Sequence, residues 1–186
     1  ASGTSIITVA VEDGGLDGDL NTSSDNATVS QQFEVYVSAL PTLNGLTDLT
    51  LDEDASEQTV NLTGITAGGG ESQPLRVTTT SANTNLIPNP TVTYTSAEST
   101  GSIKVSPVAD AQGTAVITVT VEDGGLDGNL ATSEDNLTHF ETFTVTVNPV
   151  NDLPTLAAQS NLAVQEDSTE QTINLAGIAA GGGESQ

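Results

Sequence analysis

Carboxylates and amides are the side chains that occur here in numbers sufficient for chemistry. The 186-residue chain holds 25 Asp and Glu against 2 Lys and Arg, with one His and no Cys, for a formal net charge of −23. The densest acidic runs are two copies of one loop. The first reads Asp13-Gly-Gly-Leu-Asp17-Gly-Asp19-Leu-Asn21-Thr-Ser-Ser-Asp25-Asn26. The second reads Asp123-Gly-Gly-Leu-Asp127-Gly-Asn129-Leu-Ala-Thr-Ser-Glu134-Asp135-Asn136. Such a donor set suits calcium, which takes six to eight oxygens from carboxylates, amides and backbone carbonyls. Asp13, Asp17, Asp19 and Asp25 are the candidate ligands in one copy, and Asp123, Asp127 and Asp135 in the other. The spacing fits neither common calcium loop. Asp17, Asp19 and Asn21 open like an EF-hand, but Gly is missing at the sixth position, no Glu closes the loop, and Ala131 stands for Asn21 in the second copy. The nonapeptide calcium repeat fails too, because GGLDGD has Asp where that repeat needs Gly and nothing recurs at nine residues. Loops of about 17 residues are usually functional or held by something. Three readings stay open: bound calcium, a solvated loop, or contact with a ligand or partner.

Other chemistries lack their parts. Without Cys there are no disulfides, zinc thiolates or thiol nucleophiles. Arg76 and Lys104 are isolated cations, which nearly excludes a phosphate-backbone site, since that needs clustered Lys and Arg. His139 has no base or metal partner in the sequence and reads as a surface or half-buried residue. Lys104, at an alternating strand position, reads as exposed rather than crosslinked to an Asn. The glycine turn Gly68-Gly-Gly-Glu71, repeated at 181–184, has neither the helix nor the Lys of a phosphate cradle and reads as a flexible strand connection. No apolar run approaches the roughly 18 residues of a membrane span. Outward Thr-x-Thr rows suit an ordinary solvent face better than an ice-binding one. The chain reads as a non-enzyme.

The elements that must position these carboxylates come from an internal repeat. Val11–Gly18 and Val121–Gly128 are identical, at an offset of 110. Glu57–Gln73 and Glu170–Gln186 agree at 14 of 17 positions, at an offset of 113. The difference falls where Val37-Ser-Ala-Leu40-Pro41 meets Val147-Asn-Pro-Val-Asn-Asp-Leu-Pro154. The first copy lacks three residues there, and the Asn-Asp pair is expected to go with them. The division expected is residues 1–40 as the last third of one repeat, 41–152 as a complete repeat and 153–186 as the start of another. That pattern, with no initiator Met, reads as a window of a longer tandem array.

Period-two alternation runs through each unit. Ile117, Val119 and Val121 alternate with Thr118 and Thr120, and Phe143, Val145 and Val147 with Thr144 and Thr146. No 3.6-residue stripe competes. Seven strands are expected in the complete unit, near 46–51, 57–62, 74–80, 91–96, 101–106, 114–122 and 140–148. The fold class is all-β, as tandem antiparallel seven-stranded β-sandwich repeats of about 110 residues. Dense negative charge protects their edges from pairing with other chains.

Val108-Ala-Asp110-Ala-Gln-Gly113 through Asp123 resembles the penultimate-strand signature of bacterial cadherin-like and immunoglobulin-like tandem repeats. Thr144 through Pro154 resembles their last strand and linker. Gln165-Glu166-Asp167, with its copy Asp52-Glu53-Asp54, resembles their acidic first-strand motif. The resemblance covers essentially the whole chain. It implies large, secreted or surface-anchored bacterial proteins that act in adhesion or matrix and often carry calcium at domain junctions. In an immunoglobulin-like topology the last strand and the Asp110 loop share one end, so Asp110, Asn151 and Asp152 would converge at the junction. Glu166 and Asp167 of the adjoining repeat would join them around calcium, pinning two domains together. The alternative is an Asx-bonded turn followed by a proline-stiffened linker. The junction at Ser38–Thr42, without Asn and Asp, is the poorer site.

The function expected is a structural spacer or stalk segment of a surface adhesin or matrix protein. Its partners are neighbouring repeats, with no nucleic acid and no membrane insertion. A self-assembling extracellular filament is the first alternative. A carbohydrate-binding module is the second, weakened by having only Tyr36 and Tyr94 and no Trp for stacking on sugars. The charge itself also suits solubility or a salty environment.

Overall fold

The computed structural model describes residues 2–182, which are strand and irregular structure with no helix. Nine strands form three sheets. β1 (Gly3–Glu12) and β2 (Thr28–Val37) make a two-stranded ribbon. β3 (Leu49–Asp52), β4 (Gln58–Thr63), β5 (Leu75–Ser81), β6 (Thr91–Thr93), β7 (Thr100–Val105), β8 (Gly113–Asp123) and β9 (Thr138–Asn148) make a four-stranded sheet, in the order β3-β9-β8-β5, and a three-stranded sheet, β4-β7-β6. Each of the seven expected strands of the central unit has its counterpart.

Alternation decides which side chains enter the core. Along β8, Ala115, Ile117, Val119 and Val121 are buried while Thr114 and Val116 are exposed. Register then stacks inward residues in neighbouring pairs, Ala115 beside Val145 and Ile117 beside Phe143. Leu62, Ile103 and Val105 of the three-stranded sheet close over them, with Ile65 and Ile87 from connections, all 0–1% exposed. Each such side chain contributes about 1.5–3 kcal/mol by leaving water.

β3 sets the geometry of the junction. It departs from the expected all-antiparallel pairing and lies parallel to β9, Leu49 beside Val145 and Asp52 beside Asn148. Two parallel strands that end together release their chains at the same end. The turn after β3 and the linker after β9 therefore leave side by side.

The flanking segments repeat parts of this plan. In the ribbon Ile7 lies beside Phe33, as Ile117 lies beside Phe143. Its apolar face is uncovered: Phe33 is 53% exposed where Phe143 is 2% exposed. Residues 153–182 form no strand but keep one bridge, Thr155 to Ala179, the counterpart of Thr42 to Thr66.

Candidate metal centre

The linker after β9 is gripped by the turn after β3. Glu53, 3% exposed, donates its backbone N–H to Asn148 O at 2.9 Å. Its Oε1 accepts the Val150 N–H at 2.7 Å. The Asn148-Pro-Val150 segment is thus tied to the turn after β3. Asp54 follows in the left-handed region at φ 63°, and Asp110 takes φ 58° in the turn before β8. Asp tolerates that region better than most residues. The Asp110 N–H donates to Asp54 Oδ1 at 3.3 Å.

These bends bring three carboxylates together. Asp54, Asp110 and Asp152 each present an oxygen within 4.8 Å of the others. Two oxygens bound to one calcium at about 2.4 Å are at most about 4.8 Å apart, so the trio fits around a single ion. Asp152 Oδ2 is buried and accepts no hydrogen bond. Burial of that carboxylate, with Asp54, Asp110 and Glu53 beside it, pushes the Asp152 pKa up. A divalent cation would satisfy both the orphaned oxygen and the repulsion. Three carboxylates leave the remaining calcium positions to water and backbone carbonyls. The glycine turn of the following segment lies against this cluster. A side chain at Gly182 would strike Asp152 Oδ2 and approach Asp110 Oδ1 to 3.2 Å.

Of the residues expected at the junction, Asp110 and Asp152 meet. Asn151 lies next to them and donates Nδ2 to Asp152 O at 3.1 Å. Glu166 and Asp167 are outside the trio, exposed on a turn where the Ser168 N–H donates to Gln165 O at 3.2 Å. Their copies one repeat upstream, Glu53 and Asp54, take the place expected for them. The reason is the parallel β3–β9 pair, which puts the acidic turn of a repeat at its own exit.

The shorter junction also differs from expectation. A side chain at Gly68 would strike Leu40 O and come within 3.2 Å of Ala39 Cβ. One at Gly181 would strike Leu153 O and come within 3.0 Å of Asp152 Cβ. Ser38-Ala39 therefore occupies the place of Asn151-Asp152, and the missing residues are Asn148-Pro149-Val150. The Asn-Asp pair is replaced by Ser-Ala, not deleted. Nor is the glycine turn a loose connection: Gly68 and Gly69, at φ 84° and 53°, sit where any Cβ would meet the preceding segment.

In the long loops the carboxylates are used locally. Asp123, fully buried, accepts Gly125 N–H at 3.0 Å and Leu137 N–H at 2.9 Å through Oδ1. Asp13 does the same with Gly15 and Ala27. Asp25 and Asp135 each accept at 2.7 Å from Leu16 and Leu126. Asp17 and Asp127 bind the Thr22 and Thr132 hydroxyls and the N–H groups two residues on, and Asp19 accepts from Asn21. Hydrogen bonds from Ala27 and Gly15, from Thr22 and Asp19, and from Asn21 hold the Asp13, Asp17 and Asp19 pKa values down. Among the described residues the junction trio is the carboxylate group with ion-binding spacing. Asp123 Oδ2 is buried there without a hydrogen-bond partner, as Asp152 Oδ2 is at the junction.

The remaining expectations concern single residues. His139 is half-buried, 3.2 Å from Glu141. Lys104 is half exposed and 2.6 Å from Glu57, an ordinary surface ion pair. Tyr36 hydrogen-bonds Glu34, and the Tyr94 hydroxyl donates to Glu98 O at 3.0 Å.

No protein-family model matches the chain, and no curated protein matches it. Among solved structures it is similar to parts of the S-layer protein SbsC. Domains 4 and 5 give a TM-score of 0.39 at 17% identity, over 78% of this chain and 58% of that one. The 31–844 form gives 0.40 at 15%, over 84% and 18%, and domains 4–9 give 0.37 at 15%, over 97% and 26%. The chain thus spans less than two thirds of each, and likeness at this level carries no function across.

Proposed function

We propose that this chain is a structural spacer or stalk segment of a secreted or surface-anchored bacterial adhesin or matrix protein. It is non-enzymatic and is built of tandem cadherin-like or immunoglobulin-like β-sandwich repeats. Residues 1–40 end one repeat, 41–152 form the next and 153–186 begin another. Each repeat adds length, and calcium at the 148–154 junction sets stiffness. The observation that carries the reading is the Asp54–Asp110–Asp152 trio, with a buried carboxylate oxygen lacking a partner at the exit of the central unit. Left-handed backbone at two of the three ligands fits a site where local strain serves a function. Asp54, Asp110 and Asp152 would hold the ion, and Gly182 leaves it room.

Thermal unfolding in EDTA, in millimolar calcium and in magnesium tests it. A ligand at a hundred times its dissociation constant stabilises by about 2.7 kcal/mol, several degrees in Tm for a domain of this size. The calcium increment should exceed that of magnesium and disappear in Asp54→Ala. Equal curves in the three buffers sink the calcium reading.

A further inference from the structure

The two junctions are closed by different chemistry. At the second, the Asp152 carboxylate lies with Asp54 and Asp110 at a spacing that fits an ion. At the first, Ala39 stands where Asp152 stands, and the carboxylate comes from the other side. Glu71, at the end of the glycine turn, accepts the Ser38 hydroxyl at 3.1 Å through Oε2 and the Ala39 N–H at 3.2 Å through Oε1. The Ser2 hydroxyl donates to Gly69 O at 3.3 Å, adding a bond from the start of β1 to the same turn. Gly68 and Gly69 press on Leu40 O and Ala39 Cβ so closely that no side chain fits. The Glu71 N–H donates back to Gly68 O at 2.8 Å, which fixes the turn that presents the carboxylate.

We propose that the Gly68–Glu71 turn is an inter-repeat clasp. Its glycines seat the linker that leaves the preceding repeat, and the Glu71 carboxylate fastens that linker without a metal ion. The partner it fits is a short linker offering two donors, a Ser hydroxyl and a free backbone N–H, followed by Leu-Pro. Both parts of that description follow from the contacts. The absence of Asn-Pro-Val brings Ser38 and Ala39 directly from β2 onto the turn. The absence of an acid at position 39 keeps a second carboxylate away from Glu71. The clasp does not rest on calcium at the second junction, because none of the trio takes part in it.

The native chain lacks cysteine, so Gln31→Cys and Thr59→Cys, both at exposed strand positions, give two clean spin-label sites across the first junction. Distance distributions between the labels are measured in EDTA on the full chain. The clasped chain gives one narrow distribution. Glu71→Ala removes both acceptors and raises the open population roughly tenfold, the worth of a partly exposed charge-assisted hydrogen bond. Ser38→Ala and Glu71→Gln each remove one of the two bonds and fall between. Ala39→Asp opens the joint as Glu71→Ala does. Unfolding midpoints of the central core remain at the native value, because Glu71 lies outside that core. A broad distribution in the native chain, or a Glu71→Ala distribution as narrow as native, overturns the clasp. Both outcomes are read without calcium, so they stand apart from the fate of the ion site.

Discussion

Replacing Glu53 tests whether the exit of the central unit is held by the turn after β3. The side chain is 3% exposed and accepts the Val150 N–H at 2.7 Å. A hydrogen bond to a charged group contributes about 1.5–3 kcal/mol. Glu53→Ala also removes a packed methylene, about 0.8 kcal/mol. The expected loss is therefore about 2–4 kcal/mol, a fall in Tm of roughly 10 °C or more for a domain of about 100 residues. Glu53→Gln should behave differently. It keeps an oxygen for Val150 and removes one negative charge from the neighbourhood of Asp152, so its change should stay within about 1 kcal/mol in EDTA. Urea denaturation followed by circular dichroism in EDTA, with linear extrapolation, gives both numbers. Amide exchange at Val150 localises the effect, and only Glu53→Ala should speed it greatly. If Glu53→Ala costs under about 0.5 kcal/mol, the range of ordinary surface changes, the anchoring argument is wrong.

Two further outcomes follow from burial and charge. Phe143→Ala should cost about 3–5 kcal/mol as a core truncation, whereas Phe33→Ala, its half-exposed counterpart, should stay within about 0.5 kcal/mol in dilute solution. Calorimetry on the two variants checks this, and a comparable cost for both would mean that the β1–β2 face is covered in solution. Carboxyl-carbon NMR titration in EDTA should place Asp13, Asp17 and Asp19 below the ordinary Asp value of about 3.9 and Asp152 above it. The signs then oppose. The loop carboxylates stabilise above the unfolded pKa and lose that contribution as pH falls through their lowered values. Asp152 favours the folded junction below its unfolded pKa and loses that contribution as pH rises through its raised value. Calcium should draw the Asp152 midpoint down, and an Asp152 midpoint at or below the ordinary value would remove the electrostatic case for the ion.

Much of this molecule is written locally. Ile117, Val119 and Val121 alternating with Thr fix which face of β8 is apolar, because strand side chains alternate whatever the sheet contains. The repeated VEDGGLDG and AGGGESQ segments fix that two parts of the chain share one plan. An Asp that accepts the N–H two residues on, as at Asp17 and Asp127, specifies its own turn locally. Asp110, Asn151 and Asp152 are expected at one junction through the immunoglobulin-like topology that the resemblance implies.

Tertiary structure decided the rest. Which acidic first-strand turn joins Asp110 and Asp152 depends on the direction of β3. Its parallel pairing with β9 selects Asp54 over Asp167, and two motifs that share Glu-Asp cannot reveal that choice by themselves. The place of the three-residue difference was likewise hidden. The sequence places three missing residues near Ser38-Ala39 without saying which they are, whereas the contacts of Gly68 and Gly181 superpose Ser38-Ala39 on Asn151-Asp152. Glu71 carried no sequence signal as a junction residue, since its partners lie 32 and 33 residues away across the turn. Alternation and turn chemistry are short-range properties and can be read along the chain. Strand direction and the packing of one repeat's turn on another's linker are long-range, and they exist only once the sheets have formed.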